Sequence, residues 1–288
     1  MLSMRRASLV LLSLCRARCL AVAAGSAPGE ASMESPVWPQ VVPYRLLRVV
    51  VVHRHGDRSQ IERSAGPRYP ESDVVTSAWV GKMPGQGTRD LLERAARKRV
   101  IGGESSIEAG SSNDLYSGRD AGHYPYGQLT ELGVQQMIAV GRSLRQQYWS
   151  LLLGEQSSLT TDIVYARSTD LCRTLMSLRA LLVGLFDMEQ SGIPDTVPVI
   201  EARTKTTETL YPDCNDTPCP KMKTRQQELL SDDYIPRHFP GYHELEVKFK
   251  ALLGYEHRVR WLTSREVLLC QQLHGIEYTS VSPGDIDR

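Results

Sequence analysis

Arg54, His55 and Arg58 place one imidazole between two guanidiniums in His53-Arg54-His55-Gly56-Asp57-Arg58. Two fixed positive charges so close to one ring repel its protonated form and keep it neutral until an anion arrives. A neutral imidazole in a cationic cradle is a nucleophile suited to phosphorus. Arginine forks bind phosphate oxygens in pairs and stay charged at any working pH. Gly56 lets the backbone turn tightly against a bound oxyanion. A further guanidinium stands at Arg167 in Tyr165-Ala166-Arg167-Ser168-Thr169-Asp170, and Arg173 follows it. Alone, Arg167 reads as a surface arginine. With the first block it completes an anion site, because both blocks share one layout.

That layout is a strand breaking abruptly into charge. Residues 49–52 are four valines, which predicts a strand buried on both faces. Residues 163–166 predict a second short buried strand. Ser168 or Thr169 is then expected to cap a helix with Asp170 in its first turn. Leu171, Leu175, Leu178, Leu182 and Leu185 give that helix a regular apolar stripe. His55 and Arg167 thus fall at the carboxyl ends of strands, where parallel α/β sheets place their ligands. A third element is expected at 131–148. Thr130 is its N-cap, and Leu132, Val140, Leu144 and Tyr148 form a face toward the sheet.

Arg54-His55-Gly56-Asp57-Arg58 resembles the first signature of the histidine phosphatase superfamily, in its acid phosphatase branch. Arg167-Ser168-Thr169-Asp170, with Arg173-Thr174, resembles the second. Gly127-Gln128-Leu129-Thr130-Glu131-Leu132-Gly133 is similar to the segment opening the helix after that branch's entrance loop. The resemblance covers about 44–201 and thins afterwards. It implies an α/β fold with an open, mostly parallel, phosphoglycerate-mutase-like sheet, flanking helices and a smaller helical cap. It also implies that His55 is the phosphate-accepting nucleophile and that Arg54, Arg58 and Arg167 clamp the phosphate. The implied reaction is phosphomonoester hydrolysis through a phosphohistidine that water then cleaves. Three guanidiniums supply the positive charge, so no metal and no other cofactor is expected. A homodimer is the assembly such enzymes suggest. Arg173 also matches a family position, and it is expected to support the loop by pairing with acids. One departure stands out: the family's proline after the second arginine is Gln60 here. Losing a fixed φ should loosen the loop without removing a catalytic atom.

The rest of the chain bounds the reading. Hydrophobic content of 41% and charged content of 23% are ordinary for a globular protein. A net charge of +1 gives no support for nucleic acid as a partner. No apolar run approaches the ~20 residues a bilayer crossing needs. Residues 1–28 read as a targeting segment: Arg5 and Arg6, an apolar run at 7–14, then small residues around Ala21-Val22-Ala23. The secretory pathway is the first reading. Arg16, Arg18 and the lack of any acid before Glu30 leave a mitochondrial address as the alternative. Residues 29–43 read as a linker, 44–201 as the phosphatase core and 202–288 as an incomplete helical cap. Residues 59–126 read as an elaborated entrance loop, with one short basic helix at 91–99. The cap is expected to hold helices at 245–253 and 258–272. The second of these takes its apolar side from Leu262, Val267, Leu268 and Leu269. Cys172 reads as a small core residue. Cys214 and Cys219 bracket a turn and are open to either a disulfide or two free thiols.

The resembled branch carries a His-Asp pair late in its sequence, whose acid protonates the leaving alcohol. No His-Asp dipeptide occurs in these 288 residues. His243-Glu244 is the nearest substitute, but it precedes a short helix instead of ending a strand. His123, His238, His257 and His274 read as surface or cap residues. The expectation is a chain truncated before that motif, with the carboxyl-terminal part of the sheet missing. Three readings follow: an acid phosphatase, a catalytically impaired phosphate-binding relative, or a mutase-type member. The cap length and the second motif argue against the third.

Overall fold

The computed structural model describes residues 8–14, 46, 48–101, 123–153, 163–204, 207–210, 220–229 and 234–277. In chain order the elements are β1 (Ser8–Leu14), β2 (Arg48–Arg54), α1 (Asp73–Val80), α2 (Gln86–Ala95), β3 (Arg97–Ile101) and α3 (Glu131–Leu153). There follow β4 (Val164–Thr169), α4 (Cys172–Phe186), α5 (Met188–Ser191) and β5 (Val199–Arg203). The helices α6 (Pro220–Leu229), α7 (Tyr234–His238), α8 (Tyr242–Leu253) and α9 (Trp261–Leu273) complete the described residues. The chain is an α/β protein: among the described residues, five parallel strands lie in the order β2-β1-β4-β5-β3, with helices beside them.

The register sets the two motifs level. Ser13 of β1 pairs with His53 on one side and Ser168 on the other. The carboxyl ends of β2 and β4 therefore open at the same edge, one strand apart. That gap is two strand spacings, roughly 10 Å. The strand between them, Ser8–Leu14, is the apolar run of the segment read as a targeting signal.

One sheet face enters the core. Val49, Val51, Val164, Ala166, Ile200 and Ala202 pack with the leucines of α4. The expectation that 49–52 is buried on both faces fails, because Val50 is 56% and Val52 58% exposed. A β-branched run marks a strand, but it does not say how many of its faces are covered, and β2 lies at the sheet edge.

Helix α4 is buried on every side along its whole length, well beyond a single leucine stripe. Helix α3 lies directly against it, backbone to backbone. A Cβ on Gly141 would sit 2.0 Å from the Leu181 carbonyl, and one on Gly184 2.0 Å from that of Ile138. This approach decides which side of α3 is buried: Val134, Met137, Ile138 and Gly141 face inward, while Leu132 and Val140 are exposed. Of the expected stripe, Leu144 packs against the core as expected, while Leu132 and Val140 point away from it. The predicted N-cap is present, since the Thr130 hydroxyl accepts from Gly133 N at 3.1 Å. The α4 cap is not. Ser168 and Thr169 end β4, Leu171 is the N-cap residue, and no side chain caps it.

The entrance region holds more regular structure than its weak periodicity suggested. Ser72 caps α1 by accepting from Val75 N, and Val75 and Trp79 bury one side of that helix. The basic stretch at 91–99 is not one helix. Helix α2 stops at Ala95, and Arg97–Ile101 becomes an edge strand paired with β5. Lys98, within that basic stretch, is buried and pairs with Asp170 at 2.7 Å. Both expected cap helices are found, as α8 and α9, with shifted ends. Within α9, Val267 is buried and Leu262 is 86% exposed. Cys172 is buried in the core, as expected; Cys214 and Cys219 lie outside the described residues. Among the described residues no helix is long and apolar enough to cross a membrane.

Candidate active site

The loop leaving β2 is strapped from three directions. From α3, Thr130 N donates to the Asp57 carbonyl at 3.1 Å, and the Thr130 hydroxyl reaches the Asp57 carboxylate at 2.5 Å. Gly56 and Gly133 touch so closely that a Cβ on Gly56 would lie 2.4 Å from the Gly133 carbonyl. From α4, the Ser177 hydroxyl accepts the Gly56 N–H at 3.1 Å. The positive end of α3 therefore faces the loop that carries His55.

The third strap is α9, which sequence reasoning left in the cap. Glu266 accepts from Arg58 Nη1 at 2.5 Å and from Ile61 N at 3.0 Å. Gln271 donates its amide to Gln60 at 2.8 Å. His274 Nε2 lies 3.1 Å from the Asp57 carboxylate, with its ring edge-on to Trp79 at 4.8 Å. His274, at the end of the cap helix α9, thus braces the loop instead of facing solvent. Spacings of 266, 271 and 274 put all three side chains on one side of a helix. That polar side was legible in the sequence; what it touches was not. Trp79 is fully buried.

Gln60 corrects another expectation. The residue in place of the family's proline is fully buried and holds the loop. Its amide donates to the carbonyls of Glu62 and Arg63 at 3.0 and 3.3 Å. Its oxygen accepts from Trp79 Nε1 at 3.1 Å and from Gln271. Four hydrogen bonds on one buried side chain fix a loop more firmly than one constrained φ.

His55 sits at the centre, 9% exposed. Its Nδ1 is 2.7 Å from the Gly56 carbonyl. A carbonyl only accepts, so the ring proton is on Nδ1 and the lone pair is on Nε2. Burial, followed by the charge of Arg58, pushes its pKa down to about 3; the Gly56 carbonyl raises it, and Arg173 and Arg54 lower it further. The ring is therefore neutral at any physiological pH. Arg173, set aside from the catalytic set on sequence, is buried and acts on this ring together with Arg54 and Arg58. Its distance in sequence from His55 hid this, although the i, i+6 spacing from Arg167 placed it at the start of α4. Arg167 lies across the intervening strand β1, in register with Val52 through Leu12. Its guanidinium is buried and held by Glu208 at 2.9 Å and by the Thr209 hydroxyl at 2.9 Å. Glu208 in turn accepts from the Thr209 and Leu210 amides at 2.7 and 2.6 Å.

Beside the loop lies a cavity of about 530 Å³, whose walls include Ile61, Arg63, Ser64, Tyr126, Tyr255 and Arg260. A Cβ on Gly127 would be 3.6 Å from Arg173 Nη1 and 3.8 Å from Ile61 Cγ1. One residue thus separates the cavity wall from the arginines around His55. His243 and Glu244 are exposed at the start of α8, where Glu244 pairs with Lys248. Among the described residues no three His, Cys, Asp or Glu side chains gather as a metal site.

Residues 45–240 match the sequence profile of the histidine phosphatase superfamily (branch 2). The chain belongs to this superfamily. As a branch 2 histidine phosphatase it is similar to lysophosphatidic acid phosphatase type 6 of Homo sapiens, at 30% identity over 249 residues, 86% of this chain and 54% of that protein. It is also similar to the testicular acid phosphatase of Mus musculus, at 29% over 267 residues, 84% of this chain and 47% of the relative. The lysosomal acid phosphatase of Rattus norvegicus is 32% identical over 171 residues, 52% of this chain and 36% of that protein. This histidine phosphatase spans about half the length of the curated relatives it matches.

Proposed function

We propose that this chain is a phosphomonoester hydrolase of the acid phosphatase type, working through a phosphohistidine. The observation that carries the reading is His55: buried, neutral, its proton parked on Nδ1, and flanked by guanidiniums. In this mechanism Arg54, Arg58 and Arg167 hold the phosphate dianion, and Arg173 adds positive charge. Nε2 attacks phosphorus in line, and the Nδ1–H bond to Gly56 steadies the charge the ring then acquires. Such a loose, charge-spread transition state needs positioning and positive charge above all. Water then hydrolyses the phosphohistidine.

The test is release of phosphate from p-nitrophenyl phosphate at mildly acid pH by the wild type and by His55→Ala. Turnover that falls on the order of 10³-fold or more in the variant, with acid-labile phosphate trapped on the wild type alone, supports the reading. Equal turnover by both proteins ends it.

A second reading is a phosphate-binding relative with impaired turnover. The lack of a His-Asp dipeptide in these 288 residues favours it. Tight phosphate binding without His55-dependent hydrolysis would decide for it. For location we propose the secretory pathway, on the likeness to a lysosomal acid phosphatase.

A further inference from the structure

We propose that Glu208 is the positioning residue that aims Arg167 at the bound phosphate. This rests on the clamp in the phosphatase reading and deepens it.

Arg167 is the clamp arginine that comes from across β1, on a side chain long enough to take many rotamers. Its Nη2 carries two hydrogens, and both are spent inside the protein: one on Glu208 Oε1 at 2.9 Å, the other on the Thr209 hydroxyl at 2.9 Å. The guanidinium plane is thereby fixed at one corner, and Nε and Nη1 are left for an anion. Nε is buried and has no partner among the described residues. A buried donor without an acceptor is costly unless something arrives to fill it.

The anchor is itself anchored. Glu208 Oε1 also accepts the N–H groups of Thr209 and Leu210, at 2.7 and 2.6 Å. Held by its own turn, the carboxylate stays in place when an anion binds. The Glu208 side chain is 2% exposed, which keeps water from competing for the bond. Arg58 is treated alike: Glu266 takes its Nη1 and the Ile61 N–H with one oxygen. Two clamp arginines are thus each pinned by a glutamate that backbone amides hold. Burying such a pair costs solvation that its attraction scarcely repays. The gain is orientation: an arginine already pinned loses little rotamer freedom when phosphate arrives. Glu208 acts only through Arg167.

The experiment is a double-mutant cycle of Glu208→Ala and Arg167→Ala. Binding of inorganic phosphate is measured by calorimetry, and the fold is checked by thermal melting. Glu208→Ala should weaken phosphate binding about tenfold or more, the share of one charge-assisted hydrogen bond. In the Arg167→Ala background the same substitution should change affinity by less than about twofold. Glu208→Gln should recover the wild-type affinity to within about threefold, because glutamine keeps Oε1 and replaces Oε2, which bonds nothing among the described residues. Should Glu208→Ala fail to fold, Thr209→Val removes the other anchor of Nη2 and goes through the same cycle with the same expectation. Unchanged or tighter phosphate binding in Glu208→Ala overturns the assignment. So does a loss that persists without Arg167, a glutamine that restores nothing, or a wild type that binds no phosphate. A protein that shows the expected cycle yet leaves p-nitrophenyl phosphate unhydrolysed keeps the assignment and loses the phosphatase reading alone.

Discussion

Acid should weaken this fold through one ring. His55 has an ordinary value of 6.5 and sits near 3 in the folded protein. Between those values the unfolded chain binds a proton that the native state refuses. Stability therefore rises with pH through that window and is complete above 6.5. At pH 5 the shift costs about 2 kcal/mol, and the limit below pH 3 is about 5 kcal/mol. The figure at pH 5 scarcely depends on how far below 4 the native value lies. His53, also held low chiefly by burial, adds to the slope in the same direction, and carboxylates add their own. The comparison that isolates His55 is the wild type against His55→Gln, with urea midpoints taken from pH 7.5 to 4.5. The wild type should lose about 2 kcal/mol more than the variant between pH 7.5 and 5. Parallel curves would mean that the ring takes up its proton in the folded protein. The neutral nucleophile, and the mechanism built on it, would then be wrong.

Two further outcomes follow from the packing. Gln60→Pro restores the family's residue but strands the Trp79 indole N–H and the Gln271 amide in the interior. It should destabilise the protein by about 2–4 kcal/mol in urea titrations, and a neutral or stabilising effect would contradict the bracing role. Deleting residues 1–15 removes a strand paired to β2 along seven residues and to β4 along five. Cooperative melting should be lost. A truncated chain that melts at an unchanged temperature would show Ser8–Leu14 to be dispensable, and free to serve as a cleaved leader.

The elements that carry the two motifs were readable because each follows from local chemistry. Four valines can hardly be anything but a strand, and leucines at 175, 178, 182 and 185 mark a helix. The errors came where contact across the fold decides. The buried side of α3 is set by Gly141 meeting α4, and glycine carries no hydrophobic signal. Helices α1 and α2 are too short for a convincing period, being anchored by pairs such as Val75 with Trp79. In the site, Arg54, His55 and Arg58 announce themselves by adjacency. Arg173 and the α9 residues act on the same loop from far along the chain. Gln60 misled because a departure from a motif was read as a loss, when its partner Gln271 lay some two hundred residues away.

That separation has a consequence during synthesis. Asp57 and His274 are 217 residues apart, so a ribosome adding ~5–20 residues per second needs about 10 to 40 s to pass from one to the other. His55 is made early and its brace late. A nascent chain with β2, α3 and α4 already translated still lacks Glu266, Gln271 and His274, so the loop that carries His55 should be fully braced only as α9 clears the exit tunnel.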